Sequence, residues 1–104
     1  MVKAKFFNNG YSINGHANFD ELGKDIICAS ISFLAQVITH ELSDYLIPEK
    51  TIFDEVNAKI FVLIDTLKCD IKVKALIDTL KNGMLQLAKQ YPEFVETVIT
   101  DESI

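Results

Sequence analysis

Two stretches of this chain carry apolar residues at helical spacing, and each is framed by short runs rich in Val, Ile and Phe. The first stripe holds Ile27, Ile31, Leu34, Ala35, Ile38, Leu42 and Leu46 and meets a stop at Pro48. Recurrence at three and four residues marks one face of a helix. Asp25 stands where a capping carboxylate belongs, so the helix is expected to start at Ile26. Phe33 and Val37 widen the stripe, which predicts a helix covered on two sides. The second stripe opens near Asp70 and joins Val73, Leu76, Ile77, Leu80, Met84, Leu87, Ala88 and Tyr91 before Pro92 ends it.

The framing runs read as strands. "VKAKFF" is followed by "NNG", a tight-turn signal, and "YSINGH" returns as its partner. Alternation puts Tyr11, Ile13 and Gly15 on one face and Ser12, Asn14 and His16 on the other, so His16 is expected at a strand end on the polar side. "TIFDEV" and "AKIFVLID" read as two more strands around Asn57, although "PEKTIFDEV" also suits a helix start with Pro in its first turn. "FVETVIT" supplies a last strand. The expected order is strand-strand-helix-strand-strand-helix-strand. This predicts an α+β two-layer sandwich, two main helices on an antiparallel or mixed sheet, with residues 1–104 as one domain.

The net charge of −5 removes the clustered Lys and Arg that a phosphate-backbone binder needs, so no direct nucleic-acid partner is expected. A basic or apolar peptide fits better. The N-terminus lacks an apolar core long enough for a signal peptide, and the longest purely apolar run, Ile60 to Ile64, is far short of a membrane span. A cytoplasmic location without a membrane partner is expected. His16, Cys28, His40 and Cys69 lack paired ligand spacing, so neither a metal nor another cofactor is expected.

The stretch "GHANFDELGKDIICA" places His16 and Cys28 close together in the chain. With Asp25 as cap, Cys28 is the third helical residue, where unpaired amides and the helix dipole favour a thiolate. A neighbouring histidinium lowers a thiol pKa further. His40 lies 12 residues along the same helix, roughly 18 Å away at about 1.5 Å per residue, and cannot reach Cys28 within one chain. His16 precedes Cys28 by the same interval across a loop able to fold back. Geometry therefore selects His16. The same residue types also have plainer uses: a Cys near a helix start is usually a small buried hydrophobe, and a His at a strand end is usually polar surface. Cys69 beside Asp70, and Ser32 one turn after Cys28, read most simply as ordinary structural residues.

Gly15-His16-Ala17, a loop, Gly23-Lys24-Asp25, Ile26-Ile27, Cys28-Ala29 and Ser32 together resemble the ribosomal-processing cysteine proteases of bacteria. The close match covers about residues 13 to 34; Asn18, Phe19 and Leu22 make the intervening loop bulkier than is usual in that family. The resemblance implies a cysteine endopeptidase that removes an N-terminal extension from large-subunit ribosomal protein twenty-seven, cutting after an aromatic residue. It maps the nucleophile and base onto Cys28 and His16. Gly15, Gly23, Asp25, Ala29 and Ser32 form the supporting or oxyanion region, and the family's homodimers would account for Phe33 and Val37. Two other classes stay open: a non-catalytic domain that docks on a ribosomal protein, and a redox-sensing thiol protein.

Overall fold

The computed structural model describes residues 1–16, 25–54, 56–68 and 70–104. Strands β1 (Val2–Phe7) and β2 (Gly10–Asn14) are followed by helix α1 (Ile26–Glu41). Strands β3 (Ile52–Asp54) and β4 (Lys59–Leu63), helix α2 (Ile71–Gln90) and strand β5 (Val95–Ile99) complete the order. The five strands form one mixed sheet, β3-β4-β2-β1-β5, in which only β1 and β5 pair in parallel. The α+β class and the element order agree with the sequence pattern.

Alternation along the strands puts both helices on one face. Register aligns Phe6, Tyr11 and Val62 in one cross-strand row, and Ala4, Ile13, Ile60 and Phe53 in the next. Apart from Phe53 at the sheet edge, these rows meet Ile27, Ile31, Ala35, Ile38 and Leu42 of α1 and Val73, Leu80 and Met84 of α2, which together make the core. The alternate positions Lys3, Lys5, Asn14 and Lys59 are exposed, so that end of the opposite face is open to water, while Phe7 and Leu63 further along it are buried and Phe7 packs on Phe61. The helices approach closely at Gly83, where a Cβ would stand 2.6 Å from Leu34 Cδ2. A larger residue there would push the Leu34 side chain aside.

Three boundaries differ from the sequence pattern. Helix α1 ends at Glu41 and not before Pro48, because the sheet captures the chain beyond it. Leu46 bridges Ile64, Ile47 N–H donates to Leu63 O at 3.0 Å, and Asp65 N–H donates to Tyr45 O at 2.7 Å. Pro48 opens a 3₁₀ turn, Pro48–Lys50, and only then does the chain extend into β3. Both readings of "PEKTIFDEV" therefore hold in part. Strand β2 stops at Asn14, which takes Gly15 and His16 out of the strand alternation. The β3–β4 turn is centred as expected, with Asp54 accepting from Asn57 N–H at 3.1 Å and from Asn57 Nδ2 at 2.7 Å.

Candidate active site

The position of His16 is set by the glycine before it. Gly15 has φ +99°, and a Cβ on it would stand 2.4 Å from the Met1 carbonyl oxygen. Only glycine adopts that backbone there without strain or collision. Its N–H donates to Ala58 O at 2.9 Å, which ties the turn to the start of β4. His16 thus leaves the sheet at a fixed point, exposed, beyond the end of β2.

The position of Cys28 is set by the cap. Asp25 has extended backbone (φ −75°, ψ 95°), and its carboxylate accepts Cys28 N–H at 2.9 Å. Its carbonyl oxygen accepts Ala29 N–H at 3.0 Å, the first bond of the helical ladder. Cys28 is therefore the third helical residue, as its spacing from Asp25 predicts, and its side chain is half-buried.

The two converge. His16 and Cys28 line one cleft of about 200 Å³ between the start of α1 and the ends of β2 and β4. Gly15 and Ser32 line it too, Ser32 one helical turn beyond Cys28. Asp25 and Ala29 are not among the lining residues: Asp25 acts on Cys28 through the backbone, and Ala29 is exposed on the adjoining helical surface. Gly23 and the loop residues Asn18, Phe19 and Leu22 lie outside the described residues, as does Cys69.

Several lining residues escape a reading of sequence alone. Gln36 continues the four-residue spacing of Cys28 and Ser32, and that spacing is the signal that would have found it. Phe53, Asp54 and Lys59 come from the β3–β4 hairpin, and no local pattern announces their arrival beside α1. Burial leaves the floor apolar at Ile13, Ile31 and Ala35, while the rim carries an imidazole, a thiol, a hydroxyl, an amide and opposite charges. The Asn57 amide hydrogen bonds hold the Asp54 carboxyl below its usual range, so Asp54 presents a carboxylate at neutral pH. Such a cleft can hold an extended peptide against a nucleophile. Among the described residues no three His, Cys, Asp or Glu side chains are grouped to hold a metal ion, and no helix is long and apolar enough to cross a membrane.

His40, exposed on α1, faces a second cleft and not the first. Its distance along the helix, 12 positions beyond Cys28, keeps it from the thiol, as the spacing predicts.

Solved structures share the fold, among them the following three. The essential ribosomal processing protease Prp from S. aureus, in complex with a covalently linked product peptide, is similar with a TM-score of 0.84 at 14% identity, over 96% of this chain and 100% of that one. The same protease in complex with a substrate peptide is similar at 0.77 and 13% identity, over 96% and 100%. SMU.848 from Streptococcus mutans is similar at 0.78 and 26% identity, over 98% of this chain and 96% of that one. No curated protein matches the chain. The family model for the cysteine protease Prp matches residues 1–96. With that match spanning almost the whole chain, and with the fold shared end to end, the chain belongs to the Prp family of cysteine proteases.

Proposed function

We propose that this protein is a cytoplasmic endopeptidase that trims the N-terminal extension of large-subunit ribosomal protein twenty-seven, cutting after an aromatic residue. Cys28 is the nucleophile and His16 the general acid and base. The observation that carries this reading is that both side chains line the same cleft although 12 residues of chain separate them. The S. aureus protease of the same fold is a ribosomal processing enzyme with peptide complexes, which supports the choice of substrate class.

The Cys28 thiolate adds to the scissile carbonyl carbon, forming a carbon–sulfur bond and placing the electron pair on the carbonyl oxygen. Collapse expels the leaving amine, which takes a proton from the His16 imidazolium. Neutral His16 then removes a proton from water, and the hydroxide displaces Cys28 from the thioester. The Cys28 amide is engaged by Asp25, so the oxyanion is served by the Ser32 hydroxyl, which lines the cleft one turn beyond the nucleophile. Asp25 is a positioning residue here, holding the first turn.

The protein acts as a single domain and as a homodimer. Ile26, Phe33 and Val37 share one exposed strip of α1, opposite the face that packs on the sheet, and Phe33 is 63% exposed. A second copy is the occupant that covers this strip.

Digestion of a synthetic peptide spanning an aromatic cleavage point, read by mass spectrometry, tests the activity. Two fragments divided after the aromatic residue are expected. An intact peptide after prolonged incubation with folded protein would contradict the assignment.

A further inference from the structure

The cleft that holds His16 and Cys28 does not end at Gln36. A second cleft, of about 560 Å³, begins where the first stops, and Gln36 and Phe53 line both. It continues along α1 past Thr39 and His40 to Ser43 and is also lined by Leu46; Val37, which it shares with the strip assigned above to a second copy, places the groove beside that interface. Phe53 is the outermost member of the row Ala4-Ile13-Ile60-Phe53 on the helix-packed face of the sheet, and it is 44% exposed. The apolar row therefore runs out beyond the cover of α1.

The strand that carries Phe53 has a second property. β3 lies at the edge of the sheet and pairs only with β4 among the described strands. Its outer side offers backbone donors and acceptors to an added chain. A groove with a helix on one wall and an open strand edge on the other suits an extended peptide.

We infer that the substrate chain continues from the scissile bond along this groove, between α1 and β3, and that the second cleft is a specificity subsite for an apolar side chain several residues away. Phe53 and Leu46 are apolar residues of its lining, and His40 stands in it roughly three helical turns beyond Cys28. This rests on the first cleft being the site of cleavage, because continuity with that cleft identifies the occupant as the same peptide. The run from Cys28 to His40 is 12 residues of helix, roughly 18 Å. An extended chain covers that distance in roughly five residues. Substrate recognition thus depends on chain length on one side of the cleaved bond.

The test uses peptides lengthened one residue at a time, separately on each side of the aromatic cleavage point. Their affinity for the Cys28→Ala protein is measured by fluorescence anisotropy, and their kcat/KM with the unaltered protein. Lengthening one side from about two to about five residues is expected to tighten binding about tenfold or more, with no such gain on the other side. Phe53→Ala is expected to remove that gain. His40→Ala, a change at an exposed helical position, is expected to remove the contribution of the outermost residues alone, and it keeps the test decisive if Phe53→Ala does not fold. Affinity independent of length on both sides would overturn the inference, as would a gain that persists in both variants. Length-dependent binding with no cleavage by the unaltered protein would support the groove and overturn the protease assignment; cleavage without any length dependence would do the reverse.

Discussion

The Asp25 carboxylate accepts the backbone N–H of Cys28 at 2.9 Å, so the residue that starts α1 also fixes the main chain of the proposed nucleophile. One hydrogen bond joins helix stability to the geometry of the thiol. Asp25→Asn preserves the acceptor and is expected to keep most activity and stability, because Asn caps about as well as Asp. Asp25→Ala is expected to cost about 1 kcal/mol of stability, together with a loss of kcat as the first turn loosens. Paired thermal melts and peptide kinetics check both. A loss of activity in Asp25→Asn as deep as in His16→Ala would promote Asp25 from capping to orienting the imidazole.

Gly15 and His16 give a second pair of expectations. His16→Ala is expected to lower kcat by about 10²–10⁴-fold, the usual worth of a positioned acid or base, with the fold intact. Gly15→Ala reaches the same residue through the backbone, since its Cβ would collide with the Met1 carbonyl at 2.4 Å and its φ is +99°. It is expected to destabilise the protein by about 1–3 kcal/mol and to lower activity by displacing His16. Circular dichroism melts separate the two variants, because only Gly15→Ala shifts the midpoint.

The start of the site was legible in the sequence because its determinants are local. An N-cap acts within one turn, so Asp25 located Cys28 on the helix. Gly15 is the exception: the alternation carries it and His16 into the strand, whereas β2 stops at Asn14 and Gly15 turns the chain with φ +99°. What lay beyond reach was set by distant pairing. Leu46 kept the helical spacing of α1, yet its bridge to Ile64 pulled it into the sheet, and the apolar pattern is the same for either outcome. Phe53, Asp54 and Lys59 enter the cleft wall only because β4 pairs with β2, a choice that no local signal encodes.

Tyr11 yields a pH expectation. Its hydroxyl lies 2.7 Å from Thr39 Oγ1, joining β2 to α1 inside the core, and burial pushes its pKa up to about 12. The unfolded chain releases this proton from about pH 10 upward, while the folded protein holds it until about 12. Between those values the unfolded state binds fewer protons, so stability falls as pH rises. Two pH units correspond to a loss of about 2–3 kcal/mol across the window. Tyr11→Phe is expected to lower stability at pH 7 by about 1 kcal/mol and to flatten the decline between pH 10 and 12. Urea melts at pH 8, 10 and 11.5 test this; an equally steep decline in the variant would contradict it.

The exposed strip of α1 gives an expectation of assembly. Sedimentation velocity at micromolar concentration is expected to show a species twice the 11.7 kDa chain mass. Phe33→Glu is expected to shift it to the monomer without lowering the helical content, because Phe33 points away from the core. A single 11.7 kDa species in the unaltered protein would remove the dimer.

The identity of the nucleophile is tested most directly by Cys28→Ala. The variant keeps the cleft and the Asp25 cap, because the cap accepts a backbone amide that alanine also carries. It is expected to fold, to bind the aromatic-containing ribosomal-protein extension and to leave it intact, as mass spectrometry of the incubated peptide would record. A folded Cys28→Ala protein that still divides the extension after its aromatic residue would contradict the assignment of Cys28.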